Sequence, residues 1–526
     1  MSVPVPRTKR LELLLVLTAL STVVTSGVVL GSVQPGGAHT RAGTVDCEAA
    51  VLQSLVPAGT TVVSATRLAT PVPHCRIDGL IRVDNPGPWD VKFAAALPDR
   101  FNGRHFMESQ GGTAGTVPEP PAARLRDGFA VATTDKGNRP AFSLDVEWRR
   151  DPAQHLNFAH RAIHVTAVAT QQLTRRYYGA AHIYRYTAGC SGGGQAIWNA
   201  VRAYGSEDYD GVVIGAYSAI AETNNITHAR IVQHVMRNPD GWISPDLLLA
   251  AEREIIAKYD RVDGVVDGIV QDDRLVDFDK RLLRKVGFTA AQIATFDVVR
   301  GSWKYELTSP PTRVGGYSLS RLSEWTSFLL GSAPPPWNQQ TPGAPGAFLV
   351  VDTAVKGLSG NPDLAITDLD LDSPADQALF NWPDSTGARS GPFDLSDFRD
   401  GGAKALVYHG VEDAIVKYSD MVLAYEHIRE QEPRRSKLDD WMRFFTVQGL
   451  GHCAGGPGPD DVAERMLDAL VTWVERGRAP KTITATAADT SRSFLLCPEP
   501  TRAVYKRGRG SVDDASSGQC KKLPRK

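Results

Sequence analysis

The chain of 526 residues has almost no net charge, with 58 lysines and arginines against 59 aspartates and glutamates and a balance of −1. No overall field therefore draws it to nucleic acid or to an anionic membrane, and a small neutral or weakly charged ligand is the better match. Beyond residue 30 the sequence lacks any apolar run that approaches the span of a bilayer, which excludes a protein with several membrane crossings. Internal repeats are missing too, which excludes a solenoid or propeller. Cysteine is scarce: Cys47, Cys75, Cys190, Cys453, Cys497 and Cys520 are the whole set. Their number is even, so an oxidising compartment can pair them all, and composition alone leaves the pairing open.

What is there begins with a targeting pattern. Arg7, Lys9 and Arg10 precede an apolar run from Leu13 to Leu30, and Gly36, Gly37 and Ala38 then suit a signal peptidase. Residues 1–38 are expected to be a signal peptide of a secreted protein, with a retained signal anchor as the competing reading. The remaining length exceeds one simple core and implies a large domain with a substantial insertion, or two domains.

Residues 39–220 read as the first part of an α/β domain. Cys47 to Val83 is mixed and β-prone, DVKFAAAL from Asp90 is a strand, GFAVATT from Gly128 is another, and Ala159 to Tyr178 has helical spacing closed by Gly179. IYRYT from Ile183 then runs into Gly189-Cys190-Ser191-Gly192-Gly193, followed by a helix over Gln195 to Tyr204 and a strand over Gly211 to Ile214. This alternation predicts a mostly parallel sheet with helices on both faces. Residues 221–399 break the pattern with Pro- and Gly-rich stretches and are expected to form an inserted lid. Residues 400–526 resume it with AKALVY from Ala403 and a short strand over Phe444 to Val447, then end in a tail expected to be loop-like from Lys506, where Cys520 can pin it.

The segment 189–193 has the G-x-S-x-G pattern between a predicted strand and a predicted helix. That context suits an exposed nucleophilic serine, because glycines permit the sharp turn and the helix N-terminus favours developing negative charge. A Gly-rich turn with an ordinary serine is the bland alternative. In this arrangement an acid and then a histidine should follow in chain order, each just past a late strand. Asp413 follows AKALVY, and His452 follows the strand at Phe444. His409 and Glu412 are rivals; a packed, hydrogen-bonded role is expected for His409 and a solvated one for Glu412. Cys190 directly precedes Ser191 and Cys453 directly follows His452, so a catalytic pairing of serine and histidine would bring these sulfurs within bridging distance.

With these motifs in view, the chain resembles the tannase and feruloyl esterase family of α/β-hydrolases, which also includes a hydrolase of mono(2-hydroxyethyl) terephthalate. The resemblance rests on HCRIDG from His74, LPDRFNGR from Leu97, QGG at Gln110, YTAGCSGGGQ from Tyr186, VDGVVDGIV from Val262, YHGVEDAIV from Tyr408 and GLGHCAGG from Gly449. It implies an α/β-hydrolase fold and the triad Ser191, Asp413 and His452. It implies the bridges Cys190 to Cys453, Cys47 to Cys75 and Cys497 to Cys520, and an oxyanion hole from the N–H groups of Gly192 and Gly112, with Gly111 as the fallback. The implied activity is hydrolysis of small esters of aromatic acids, feruloyl or galloyl, through an acyl-enzyme; no nucleic-acid partner is implied.

Asp260, Asp263 and Asp267 lie among glycines, a composition that suits a hard cation but also fits an ordinary Asp-Gly turn. The resemblance implies structural calcium, held by those three side chains and the backbone carbonyls of Val265 and Ile269. Relatives bracket this loop with a disulfide, which is missing here. The inserted segment also carries Trp303, Tyr305, Trp325, Phe328, Trp337, Phe348, Phe380 and Trp382; most are expected in its core, with two or three against a planar acyl group. Acyl transfer to an alcohol by the same triad, and a non-catalytic calcium-braced binding role, are the alternative functions.

Overall fold

A computed structural model describes residues 40–41, 45–217, 221–271, 273–305, 312–380, 393–432, 438–506, 508 and 510–523. The signal-peptide expectation for residues 1–38 and the aromatic residue Trp382 lie outside them. Among the described residues no helix is long and apolar enough to cross a membrane.

Short apolar, β-branched runs bounded by turn residues form nine strands of one sheet. They are β1 Thr60–Leu68, β2 His74–Val83, β3 Trp89–Pro98, β4 Arg104–Ser109, β5 Ala130–Thr134, β6 Tyr184–Cys190, β7 Gly211–Gly215, β8 Lys404–Gly410 and β9 Met442–Val447. Their spatial order is β9-β8-β7-β6-β4-β5-β3-β2-β1. The block from β9 to β5 is parallel throughout, whereas β3, β2 and β1 add an antiparallel edge. Every residue of β7 is buried, as expected for a parallel strand covered on both faces.

Helices α1 (Ala162–Tyr178), α2 (Gly192–Tyr204) and α6 (Tyr418–Gln431) pack on one face, where Ile163, Trp198 and Met421 join Val212 and Ile214 of β7. On the other face α7 (Val462–Arg476) sets Leu467, Leu470 and Trp473 against Val213, Leu406 and Tyr408.

Between β7 and β8 the chain leaves the sheet. Helices α3 (Ala221–Arg237), α4 (Pro245–Tyr259) and α5 (Gly346–Thr353) build a separate core there around Ile231, Leu248, Phe296, Trp325 and Phe348. Val146 and Ala414, from outside the insertion, enter the same cluster. The C-terminal tail differs from the loop expected: Gly518–Lys522 pairs antiparallel with Thr501–Tyr505, beside the Cys497–Cys520 bridge.

Candidate active site

Ser191 sits between the end of β6 and the start of α2 with φ 58° and ψ −126°, a backbone region that side-chain-bearing residues seldom occupy. Its N–H donates to the Gly215 carbonyl at 2.9 Å, which ties the turn to β7. The flanking glycines are required by close approach. A Cβ at Gly189 would lie 2.7 Å from the Ser109 carbonyl oxygen, and one at Gly193 only 2.0 Å from it. The elbow is thus wedged against β4, and the serine is held at the carboxyl end of the parallel sheet.

The loops after β8 and β9 are laced together: Val411 N–H donates to Val447 O at 2.9 Å and Glu412 N–H to Leu450 O at 3.1 Å. This lacing brings the next two side chains into contact, and His452 Nδ1 lies 2.7 Å from Asp413 Oδ2. The other carboxylate oxygen of Asp413 accepts the N–H groups of Ile415 and Val416 at 2.8 and 2.9 Å. Burial disfavours the ionised form of Asp413, but the neighbouring His452 charge and hydrogen bonds from His409 and His452 outweigh it. The carboxyl is held well below the usual carboxylate range. It therefore stays ionised.

His409 is fully buried, with Nε2 2.9 Å from the Val416 carbonyl and 3.2 Å from Asp413 Oδ2, so it packs behind the aspartate. Glu412 does not take the solvated position expected for it. It is 3 % exposed and its Oε2 has no hydrogen-bond partner among the described residues. Desolvation, against partial relief by Arg321, pushes its carboxyl up to about 8. The lacing of the two loops turned this side chain inward, which local sequence could not show.

Ser191 and His452 line one cavity of about 750 Å³. Their neighbours are joined covalently: Cys190 and Cys453 form a disulfide with their Cα atoms 5.9 Å apart. Cys47–Cys75 is the third bridge. Gly111 and Gly112 both line the cavity, the former stacked on the elbow so that a Cβ there would lie 3.7 Å from Ser191 Cβ. The Gly112 carbonyl closes on Gly192 so tightly that a Cβ at 192 would meet it at 2.3 Å.

Of the aromatic residues named in the insertion, Phe328 reaches this cavity. Trp325, Trp337, Phe348 and Phe380 are buried in the insertion's own core, and Trp303 packs against it. Phe106 of β4 and Tyr408 of β8 also line the cavity, and Phe158 and Tyr217 complete the aromatic wall, with Leu144 and Arg149 beside them. Phe158, Tyr217, Leu144 and Arg149 belong to segments that carried no recognisable motif, so sequence reasoning missed them.

In the acidic turn, Asp260, Asp263 and Asp267 are all largely buried. Asp260 Oδ2 accepts the N–H groups of Asp267 and Gly268 at 3.1 and 3.0 Å, and Asp263 Oδ1 accepts that of Val265 at 2.9 Å. Asp267 is ion-paired with Arg492. Asp263 Oδ2 is buried with no hydrogen-bond partner, and desolvation pushes this carboxyl up to about 6 despite its bond to Val265. Among the described residues no group of three or more His, Cys, Asp or Glu side chains is arranged as a metal site. The all-oxygen donor set and the orphaned Asp263 oxygen nonetheless suit a hard cation, which would offset the concentrated negative charge.

A serine on a strained elbow at the carboxyl end of a mostly parallel sheet, sharing a cavity with a carboxylate-oriented histidine, defines a hydrolase of the α/β class. The chain belongs to the tannase and feruloyl esterase family, whose model matches residues 75–521, and it is a carboxylic ester hydrolase. It is 27% identical over 517 residues to a probable feruloyl esterase B-2 of Aspergillus terreus, covering 89% of this chain and 91% of that one. It is 29% identical over 533 residues to a mono(2-hydroxyethyl) terephthalate hydrolase of Piscinibacter sakaiensis, covering 88% and 87%. The crystal structure of feruloyl esterase B from Aspergillus oryzae shares its fold with a TM-score of 0.75 at 24% identity, covering 89% of this chain and all of that one.

Proposed function

We propose that the protein is a secreted serine esterase that cleaves esters of aromatic acids, of the feruloyl or galloyl type, through an acyl-enzyme. The observation that carries the mechanism is the 2.7 Å contact of His452 Nδ1 with the buried Asp413 carboxylate, in a loop bridged by sulfur to the residue before Ser191. Asp413 fixes the tautomer in which His452 Nε2 is free to accept a proton. That nitrogen takes the Ser191 Oγ proton as the oxygen attacks the ester carbonyl, and the N–H groups of Gly192 and Gly112 hold the tetrahedral oxyanion. The imidazolium returns the proton to the departing alcohol. Water, deprotonated in turn by His452, attacks the acyl-serine and releases the acid.

The aromatic wall of Phe158, Tyr217 and Phe328 supports a planar acyl group, and the named relatives act, by their descriptions, on feruloyl and terephthalate esters. Calcium, held by Asp260, Asp263 and Asp267 with the carbonyls of Val265 and Ile269, would brace the loop and take no part in the chemistry. The basic and apolar N-terminal residues 1–38 and three disulfides support export.

Turnover of methyl ferulate, methyl gallate and a simple nitrophenyl ester should fall by about 10⁴-fold or more in Ser191→Ala. Equal rates in the variant would refute the mechanism. Wild-type activity confined to the nitrophenyl ester would refute the aromatic-acid assignment.

A further inference from the structure

Lys136 is fully buried, at 0 % exposure, and carries its backbone at φ 61°. Its Nζ donates to the Gly192 carbonyl at 2.7 Å and lies 3.7 Å above the centroid of the Phe158 ring. No carboxylate among the described residues lies within ion-pair distance of Nζ. A lysine buried without a counter-ion is costly to the fold and calls for a use. Burial, with Arg149 nearby, drives its pKa well below the ordinary lysine value; the carbonyl and the ring face act in the opposite direction, since both favour a cation.

The turn that presents Lys136 is itself fastened to the other side of the active site. Asp135 Oδ1 accepts Gly137 N–H at 2.8 Å, the Asp135 carbonyl accepts Gly115 N–H at 3.0 Å, and Asn138 Nδ2 donates to the Thr113 carbonyl at 2.7 Å. One turn thus holds the Gly112 loop through Asn138 and Asp135, and the Gly192 carbonyl through Lys136. Gly192 must be glycine because the Gly112 carbonyl leaves no room for a Cβ. A glycine is torsionally permissive, so its orientation has to be imposed from outside, and its carbonyl is where Lys136 bonds.

We propose that Lys136 is a positioning residue for ester hydrolysis: by holding the Gly192 carbonyl, its buried Nζ fixes the backbone torsion of Gly192 and with it the direction in which the Gly192 N–H points into the oxyanion hole. This rests on the serine-esterase mechanism given above. The group acts on the transition state and leaves the neutral ground state of the ester almost untouched, so its loss should appear in kcat and not in KM.

The test compares wild type, Lys136→Met, which keeps the length and loses the donor, and Lys136→Gln, which keeps a donor. Rates are expressed per active site titrated with a fluorophosphonate, so that misfolded molecules do not enter the result. Lys136→Met should lower kcat on methyl ferulate by about 10- to 100-fold with KM changed less than about threefold. It should weaken inhibition by phenylboronic acid, which becomes a tetrahedral anion on the serine, by a similar factor. Lys136→Gln should recover part of both kcat and the boronate affinity. An unchanged kcat per titrated site, a change confined to KM, or unaltered boronate inhibition overturns the proposal. If Ser191→Ala stays active, the mechanism itself has failed; if it is inactive while Lys136→Met keeps full kcat, this inference alone has.

Discussion

Residues 412 and 413 are neighbouring carboxylic acids driven in opposite directions. Asp413 receives two backbone N–H groups and two imidazoles, which keep its pKa depressed. The stability it contributes is present above the unfolded carboxyl pKa and is lost as pH falls through the lower folded value. Glu412 faces burial and the carboxylates of Glu252, Glu324 and Asp267, which outweigh Arg321 and raise it from 4.5 to about 8. Between those values the folded state holds a proton that the unfolded state has released, so stability declines as pH rises through this window, by on the order of 3 kcal/mol at pH 7. Glu412→Gln keeps the shape and removes the titration. Its melting temperature should match wild type near pH 4 and exceed it at pH 7 to 8; parallel melting curves across that range would show that Glu412 is not buried as described.

At the scale of elements, the disulfide between the end of β6 and the loop after β9 closes 263 residues of sequence. Chain entropy assigns such a closure roughly 5 kcal/mol as an upper figure. Its placement beside Ser191 and His452 adds a local effect. Reduction, verified by peptide mapping, should lower both the melting temperature and the activity, and full activity after complete reduction would count against a role for the bridge in holding the site. The strand-turn-helix around Ser191 was legible because each piece has a short-range signal: an apolar β-branched run, glycines at fixed offsets, then helical spacing. β8 and β9 were legible for the same reason, and with them Asp413 and His452. The antiparallel edge β1 to β3 and the tail strand Gly518–Lys522 were not, since pairing direction depends on partners distant in sequence. The cavity wall escaped likewise. Phe158, Tyr217 and Arg149 are ordinary residues until the sheet and the insertion close around them. Most of the insertion's aromatic residues were expected in a core of its own, and Trp325, Trp337, Phe348 and Phe380 lie there, while Phe328 reaches the cavity.

At the scale of the whole molecule, the acidic turn and the C-terminal segment brace each other through Asp267 and Arg492. With calcium bound to Asp260, Asp263 and Asp267, that contact would sit against a neutralised loop. Chelation should therefore lower the melting temperature by roughly 3–10 °C, with recovery when calcium is restored. An unchanged melt together with no bound metal in the purified protein would remove calcium from the account.

The Cys190–Cys453 bridge has a topological consequence as well. The insertion leaves after β7 and returns at β8, wholly inside the ring that these two sulfurs close. A protease that nicks the polypeptide anywhere in that excursion opens the ring without releasing either fragment. Hydroxyl and imidazole would stay tethered to one another, and the clipped enzyme would part into two pieces on a gel after thiol treatment and not before.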